Sequence, residues 1–258
     1  MDLPVNRFKA ALRAGVAQIG LWNSLPSPAC VEVIAGAGYD WILIDTEHSA
    51  VDLSLLHGQL MATMEYPATS VIVRPPWNDM VTIKRYLDLG VQSLLIPYVQ
   101  TLGEAIEAVR YTRYPPHGVR GFAGSSRASR FGRINPYHGG AGDQTCVLIQ
   151  VETPEAVEQI EAIATIDGID GIFVGPGDLS AAMGHLGNPG HPDVQRAVDD
   201  AIRRIRAAGK APGIITGDEA MARHYLEIGA LFVAVGADVG LLTRASDALL
   251  QRFRTAPR

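Results

Sequence analysis

The sequence predicts a single α/β domain with the (β/α)8, or TIM, barrel fold. Eight short apolar segments alternate with longer amphipathic segments along the 258 residues. Most of the short segments are apolar throughout, which is typical of parallel strands covered by helices on both faces. Eight strand–helix units fill a barrel of about 250 residues. No obvious second domain remains, so residues 1–258 are expected to form one domain; a doubly wound open sheet is the structural alternative.

The apolar segments that predict strands are Ala17–Leu21, Trp41–Asp45, Ser70–Val73, Ser93–Ile96, Cys146–Val151, Gly171–Val174, Ala211–Ile215 and Leu231–Val235. The segments that predict helices are Pro28–Ala37, Leu53–Met64, Met80–Leu89, Leu102–Arg110, Pro154–Ile163, Asp193–Ala208, Asp218–Ile228 and Val239–Phe253. Glycine stands between helix and strand in phrases such as AGAGYDWILID and LEIGALFVAVG, where it is the expected helix terminator. Only Tyr114–Gly142, rich in Gly, Pro, Ser and Arg, breaks the alternation, and such connections are usually functional loops or contact surfaces.

The composition excludes several classes of protein. With 47% hydrophobic residues and a net charge of −5, the chain is not intrinsically disordered, and it lacks the basic excess of a nucleic-acid binder. Its two cysteines, Cys30 and Cys146, form neither a disulfide framework nor a Cys-rich zinc site. No apolar run approaches the roughly 20 residues of a membrane span, and the polar first residues do not resemble a signal peptide. A cytoplasmic location is therefore expected.

Polar and ionisable residues follow the carboxyl ends of the predicted strands, whereas the strands begin with uncharged residues. Active sites of such barrels lie at this rim, so the asymmetry is the strongest indication of a site. The rim residues are Asp45-Thr46-Glu47-His48 after the second strand, Arg74 after the third, Gln150 to Glu152 at the fifth, Gly175 to Asp178 after the sixth, and Thr216 after the seventh.

Glu152 and Asp178 end consecutive strands, so their side chains are expected to converge. Two carboxylates without nearby thiols suit a hard divalent cation such as Mg²⁺ or Mn²⁺. The alternative is that Glu152 belongs to a helix start and that Asp178 is the N-cap of a helix at Leu179–Met183. The surrounding GPGDLS phrase also opens a short helix, whose amide groups are a weak candidate for an anion site.

His48 and Arg74 are the other candidates at this rim. His48 is a candidate general base, since its ordinary pKa lies near neutrality, and the alternative is a surface histidine that caps the next loop. Arg74 is suited to binding a carboxylate or an oxyanion, but a structural salt bridge to Asp45 or Glu47 is an equal alternative.

The chain has only three lysines, Lys9, Lys84 and Lys210, and none is expected at this rim. Schiff-base chemistry needs a lysine in the pocket, so the sequence argues against this mechanism. A divalent ion, a positive side chain and a base remain, and this set suits the stabilisation of an enolate.

The phrases that carry these residues resemble the class II, metal-dependent pyruvate aldolases, the family of 4-hydroxy-2-oxoheptanedioate aldolase and 2-keto-3-deoxyglucarate aldolase. They are GLWNSLPSPACVEVIAGAGYDWILIDTEHS, VRPPWND, GVQSLLIPYVQ, GVRGFAGSSRASRFGR, IQVETPEAVEQIEAIATIDGIDGIFVGPGDLSAAMG and LFVAVGAD. The resemblance extends from about Gly15 to Leu250. A more distant similarity is to the citrate-lyase β-subunit group.

The resemblance implies reversible cleavage of a 4-hydroxy-2-oxo acid into pyruvate and an aldehyde through a metal-stabilised enolate. By this resemblance, Glu152 and Asp178 bind Mg²⁺, Mn²⁺ or Co²⁺, and Gln150 and the amides of Gly177 and Asp178 contact pyruvate. His48 is the implied acid/base catalyst with Asp88 as its partner, Asp45 orients the His48 loop, and Arg74 stabilises the enolate. Trp22 and Ile215 are implied to contact the aldehyde.

The resemblance further implies a homo-oligomer, usually a hexamer built as a trimer of dimers, with the final helix exchanged between subunits. The Arg120–Arg133 stretch would then reach a neighbouring site, or would otherwise be a solvated basic loop. The family also points to aromatic catabolism. The donor (pyruvate or hydroxypyruvate), the aldehyde and the metal stay open. Alternative functions are a malyl-coenzyme A lyase or phosphoenolpyruvate mutase type of lyase, or a non-catalytic barrel that binds an oxo acid.

Overall fold

Eight parallel strands close into a barrel, in which each strand pairs with the next along the chain and the last pairs with the first. The computed structural model describes residues 1–254. The predicted (β/α)8 barrel is confirmed, and the open sheet is excluded. The strands are β1 (Gln18–Asn23), β2 (Trp41–Asp45), β3 (Ser70–Arg74), β4 (Ser93–Ile96), β5 (Cys146–Val151), β6 (Gly171–Val174), β7 (Ala211–Ile215) and β8 (Phe232–Ala237).

Helices connect successive strands and cover the outside of the barrel. They are α1 (Arg7–Arg13), α2 (Pro28–Ala35), α3 (Leu53–Ala62), α4 (Met80–Asp88), α5 (Leu102–Thr112), α6 (Tyr137–Gln144), α7 (Pro154–Val157), α8 (Ile160–Ala164), α9 (Pro176–Ala182), α10 (Pro192–Ala207), α11 (Glu219–Glu227) and α12 (Asp238–Arg254).

Strand bounds agree with the prediction for β2, β4, β5, β6 and β7, and β3 is one residue longer. The predicted ends of β1 and β8 are too early. Trp22 and Asn23 extend β1 because Trp22 pairs with Ala237 of β8 and Asn23 pairs with Ile44 of β2. Pairing with neighbours, rather than local sequence, therefore sets where these two strands end.

Three helical regions differ from the prediction. The helix expected at Pro154–Ile163 is broken into α7 and α8, since Gln159 leaves the helical conformation with φ −92° and ψ 0°. Part of the expected irregular segment Tyr114–Gly142 is helical, because α6 begins at Tyr137. The helix α1 was not predicted; the Asn6 side chain accepts a hydrogen bond from the Lys9 amide and so caps its start.

Large aromatic side chains fill the barrel interior, and glycines make room for them. Successive residues of a strand point to opposite faces, so Trp41 and Leu43 of β2 face inwards and Ile42 and Ile44 face the helices. A Cβ at Gly20 would lie only 2.2 Å from the Trp41 ring. The same alternation brings Asp45, at the end of β2, to the mouth of the barrel.

The amino-terminal end of the barrel is closed by α1. Phe8 packs edge-on against Phe232, with the ring centroids 5.7 Å apart. Lys9 is buried and its Nζ lies 3.2 Å from an Asp170 carboxylate oxygen. Together these side chains seal the end of the barrel opposite to the polar rim.

The last helix, α12, is attached through its first residue. The buried Asp238 carboxylate accepts hydrogen bonds from the backbone amides of Ser24 and Leu25 and from the Asn23 side chain. Beyond Asp238 the rest of α12 is largely exposed, including several leucines. Within residues 1–254, no helix combines the length and apolar character that crossing a membrane requires.

We expect Gly20→Ala to destabilise the protein, because the added methyl group would collide with the Trp41 ring. Overpacking of this kind lowers the free energy of unfolding by about 1–3 kcal/mol. Gly139→Ala is the control, since its Cβ meets nothing within 4 Å and alanine favours helix α6. Chemical denaturation measures both variants, and an unchanged midpoint for Gly20→Ala would contradict this packing.

Candidate active site

The carboxyl ends of β2, β3, β5 and β6 bring most of the predicted site residues to one rim of the barrel. Their inward direction follows from the strand alternation that also buries Trp41 and Leu43. In β2 and β3 the register places Asp45 directly opposite Arg74. The rim therefore begins with a carboxylate and a guanidinium on adjacent strands.

Arg74 forms a bidentate ion pair with Asp45. Its Nε lies 2.9 Å from Asp45 Oδ1 and its Nη2 lies 2.6 Å from Oδ2, with both side chains buried. Burial alone would raise the pKa of the Asp45 carboxyl, but the hydrogen bonds and charge of Arg74 outweigh it and lower that pKa. The salt bridge considered for Arg74 is thus present, and it fixes the guanidinium plane at the rim.

Glu47, which the sequence places at the rim and suggests as a salt-bridge partner of Arg74, contacts both Arg74 and His48. Its Oε2 lies 2.8 Å from Arg74 Nη1 and 3.7 Å from His48 Nε2. Burial raises the pKa of Glu47 above its ordinary value; the charges of Arg74 and His48 oppose this rise, and those of Asp45 and Asp178 add to it. Glu47 Oε2 is buried without a well-directed hydrogen bond.

His48 lies on the solvent side of this cluster, with 66% of its side chain exposed. Asp45 Oδ1 accepts a hydrogen bond from the Glu47 amide at 3.0 Å and lies 3.5 Å from the His48 amide. Asp45 therefore orders the backbone of the loop that carries His48. The imidazole itself is open to solvent at the mouth of the barrel.

Asp88, the implied partner of His48, lies elsewhere within this chain. It is the last residue of α4, which returns to the amino-terminal rim, and its Oδ1 lies 3.1 Å from Arg120 Nη2. The structure does not bring Asp88 and His48 of one chain together. A pairing between them requires a second copy of the chain.

Glu152 is held by donors on both of its oxygens. The Tyr98 amide donates to Oε1 at 2.8 Å, and the Gln150 side chain donates to Oε2 at 2.5 Å. Tyr98 adopts a left-handed backbone with φ 52°, uncommon for a non-glycine residue. Gly175 is required beside them, because a Cβ there would lie 2.7 Å from Glu152 Oε2.

Burial raises the pKa of the Glu152 carboxyl to about 7; the Gln150 hydrogen bond opposes this rise, while the nearby charges of Asp178 and Glu47 contribute to it. Asp178 lies in the first turn of α9, exposed at the rim. The alternative reading of Asp178 as an N-cap is wrong, since α9 begins at Pro176 and Gly175 is its N-cap residue. Gly177 is exposed beside Asp178, and no atom would meet a Cβ there.

Trp22 is the last residue but one of β1 and Ile215 ends β7, so both lie at the same rim. Trp22 is buried beneath Arg74, with Arg74 Cζ 4.8 Å from its ring centroid and its indole Nε1 donating to Asp45 Oδ2 at 3.2 Å. Trp22 thus contacts the Arg74–Asp45 pair, and its ring centroid lies 5.6 Å from that of Phe173 in the barrel interior. Ile215 is half-buried and remains a candidate wall of the pocket.

The donor set at this rim fits a hard divalent cation. Glu47, Glu152 and Asp178 provide three carboxylates; burial raises the pKa of Glu47 and of Glu152, the charge of Asp178 adds to both rises, and Arg74 is already paired with Asp45. Gln150 Oε1 is buried without a hydrogen-bond partner among residues 1–254, and Glu47 Oε2 has only its ion-pair contact with Arg74 Nη1. Clustered carboxylates beside such an unpaired oxygen favour an oxygen-liganded ion like Mg²⁺ or Mn²⁺.

A second group of candidate ligands lies away from this rim. His185, His191 and Asp193, before and at the start of α10, have ligand atoms within 4.8 Å of one another. However, His191 Nδ1 already accepts the Asp193 amide hydrogen bond, and Asp193 is ion-paired with Arg196. This group therefore serves as the cap of α10.

Comparison with known proteins agrees with the site geometry. The family model described as HpcH/HpaI aldolase/citrate lyase matches residues 18–245. The 4-hydroxy-2-oxo-heptane-1,7-dioate aldolase of Shigella sonnei is 55% identical over 96% of this chain and 95% of its own length. The hydroxypyruvate/pyruvate aldolase of Pseudomonas aeruginosa is 54% identical over 98% of this chain and 95% of its own.

Among solved structures, a HpcH/HpaI aldolase/citrate lyase family protein from Burkholderia cenocepacia is 41% identical. It covers 97% of this chain and 100% of its own, with a TM-score of 0.94. The family match spans most of the chain, and the chain matches the two aldolases over nearly their whole length. The chain therefore belongs to the HpcH/HpaI aldolase/citrate lyase family, and it is a carbon–carbon lyase of the aldolase type.

Proposed function

We propose that this aldolase reversibly cleaves a 4-hydroxy-2-oxo acid into pyruvate, or hydroxypyruvate, and an aldehyde, with a divalent metal at Glu152 and Asp178. The observation that carries the proposal is the cluster of Glu47, Glu152 and Asp178 beside the fixed guanidinium of Arg74. The names of the two curated relatives, which specify a 4-hydroxy-2-oxo dioate and hydroxypyruvate or pyruvate, support this substrate class.

The positions of the lysines support a metal rather than a Schiff base. Lys9 is buried against Asp170 at the amino-terminal end of the barrel. Lys210, just before β7, donates to the carbonyl groups of Ile166 and Ile169 at that same end. Lys84 lies within α4 outside the barrel. No lysine of the chain therefore reaches the polar rim, where an imine would have to form.

The proposal assigns a role in binding or catalysis to the residues at the rim. Glu152 and Asp178 would hold the ion, which would supply positive charge that stabilises the enolate of pyruvate. Arg74, held in place by Asp45, has its guanidinium edge at the same rim and would bind the keto oxygen as negative charge develops. His48, exposed at the mouth, would exchange a proton with the aldehyde oxygen. The amides of Gly177 and Asp178 and the side chain of Gln150 would position the pyruvate carboxylate.

The exposed face of α12 supports a homo-oligomer. Val239, Leu242, Leu249, Leu250 and Phe253 recur at spacings that place them along one side of the helix, and all are exposed in the single chain. Such a stripe is typical of a subunit interface. We propose that a second copy covers it, in a hexamer with exchanged α12 helices as the resemblance implies. Such an assembly is also needed if Asp88 is to reach the His48 of another chain.

The proposed function is tested by measuring pyruvate release from a 4-hydroxy-2-oxo acid with and without a chelator. We expect chelation to abolish release, Mg²⁺, Mn²⁺ or Co²⁺ to restore it, and borohydride with substrate to leave the enzyme active. Full activity after thorough chelation would exclude the metal. Inactivation by borohydride would instead show a Schiff base.

Glu152→Gln is expected to abolish high-affinity Mn²⁺ binding, measured by isothermal titration calorimetry. Because a protonated carboxyl does not ligate, wild-type affinity should fall about tenfold per pH unit below the Glu152 pKa of about 7. Glu155→Gln is the matched control, an exposed glutamate three residues away. Unchanged Mn²⁺ affinity in Glu152→Gln would show that the ion binds elsewhere.

Arg74→Lys is expected to reduce kcat about 10²–10³-fold, since a lysine cannot keep the bidentate bond to Asp45 while facing the keto oxygen. Arg204→Lys is the control, because Arg204 also forms a bidentate pair, with Glu161, but on the protein surface. Steady-state kinetics on correctly folded samples compares the two. Equal kcat values would remove Arg74 from the reaction.

Leu242→Glu is expected to reduce the molar mass of the particle in size-exclusion chromatography with light scattering, because it places a charge in the proposed interface. Leu186→Glu is the control, since Leu186 is also exposed, at 85%, but outside α12. A monomeric wild-type protein would contradict the interface outright. So would an assembly that Leu242→Glu leaves unchanged.

A further inference from the structure

A cavity of about 540 Å³ lies at the amino-terminal rim, at the opposite end of the barrel from the catalytic residues. It is enclosed by the start of α1, the end of α3, the first residues of β3 and β4, and the segment that leads into α6. A volume of this size is in the range of small-molecule sites. Nothing in the proposed aldol chemistry uses it.

The charge of the cavity wall is positive, in a chain whose net charge is −5. Arg7, Arg127 and Arg130 line it, and no aspartate or glutamate does. The other polar lining groups, such as Thr63 and Gln144, are neutral hydrogen-bonding side chains. The wall therefore offers cationic and neutral donors without a carboxylate to neutralise them.

Arg127 is half-buried without a counter-charge. Its guanidinium donates to the Leu89 carbonyl and reaches Met64 Sδ at 3.6 Å. Burial lowers the pKa of Arg127, and the neighbouring charge of Arg130 lowers it further. In the part of the chain that the structure describes, neither arginine forms an ion pair with a carboxylate. Two cations held together in this way are unfavourable until an anion joins them.

The backbone beside the cavity is strained. Arg130 and Phe131 are consecutive non-glycine residues in the left-handed region, with φ 53° and 58°. The Arg130 amide donates to the Arg127 carbonyl at 2.9 Å, which closes a tight turn with both arginines on the cavity wall. Strained backbone of this kind accumulates at binding sites, where it positions side chains.

We propose that this cavity binds a small dianion, an inorganic phosphate or a short dicarboxylate, between Arg127 and Arg130. The planar guanidinium group donates two parallel hydrogen bonds to the oxygens of either anion. Neutral groups such as Thr63 can donate to the remaining oxygens. Within one chain the cavity lies at the end of the barrel opposite to the catalytic rim, and anion binding there does not depend on the proposed aldol reaction.

The test is a calorimetric titration of the full-length protein with inorganic phosphate and, separately, with succinate. EDTA is present throughout, so that no metal at Glu152 and Asp178 recruits the anion. We expect one binding event per chain with at least one of the two anions, and the arm that binds identifies the ligand class. Saturable binding of neither anion would overturn the proposal.

Arg130→Gln is the decisive variant, because Arg130 lines the cavity and its side chain forms no hydrogen bond or ion pair with any of residues 1–254. The dissociation constant should rise about tenfold or more, because the variant loses a charge-assisted hydrogen bond to the anion. Arg223→Gln is the control; it makes the same charge change on α11, far from the cavity. If both variants raised the dissociation constant equally, the binding would be non-specific electrostatic attraction. That result, or an unchanged dissociation constant in Arg130→Gln, would overturn the proposed site.

Discussion

The pairing of β8 with β1 is the interaction on which the rest of the structure depends, because it turns a twisted row of strands into a closed barrel. Asp238 reinforces the closure just after β8 by accepting hydrogen bonds from the chain that follows β1. Closure brings all eight carboxyl ends to one rim. Side chains that are more than a hundred residues apart in sequence, such as Asp45 and Glu152, then share one electrostatic environment.

Within that environment, one guanidinium organises the negative charge. Arg74 pairs with both oxygens of Asp45 and with one oxygen of Glu47, whereas neither Glu152 nor Asp178 forms an ion pair with a cationic side chain among residues 1–254. The structure therefore separates an ionised, structural carboxylate, Asp45, from the pair Glu152 and Asp178, whose mutual repulsion a bound cation or a proton would relieve. Because Arg74 also lies over the Trp22 ring, it is held from below and from the side, and its remaining edge has little freedom to move.

The strand positions and the rim residues could be predicted because strand alternation and apolar runs are local properties of the sequence. The sequence places Glu47 at the rim and suggests its salt bridge to Arg74, but not the influence of Asp178 on its pKa, which arises because the fold brings the start of α9 close to the turn that follows Asp45. Helix α6 escaped prediction because Gly139, Gly140 and Gly142 weaken its helical signal. The place of Asp88 could not be read from the local sequence either, because only the direction of α4 through space puts it at the far rim.

The seal formed by α1 has a consequence for how the chain reaches its native state. Lys9 donates to the carbonyl of Thr145, 136 residues further along, and its ionic partner Asp170 comes later still. During synthesis, α1 thus has no final binding place until β5 and the residues that lead into β6 have been made. Contacts of such long sequence separation slow folding, since the loop they close must be ordered first. Although α1 precedes every strand of the barrel in the chain, its docking through Lys9 can be completed only after these later segments are in place.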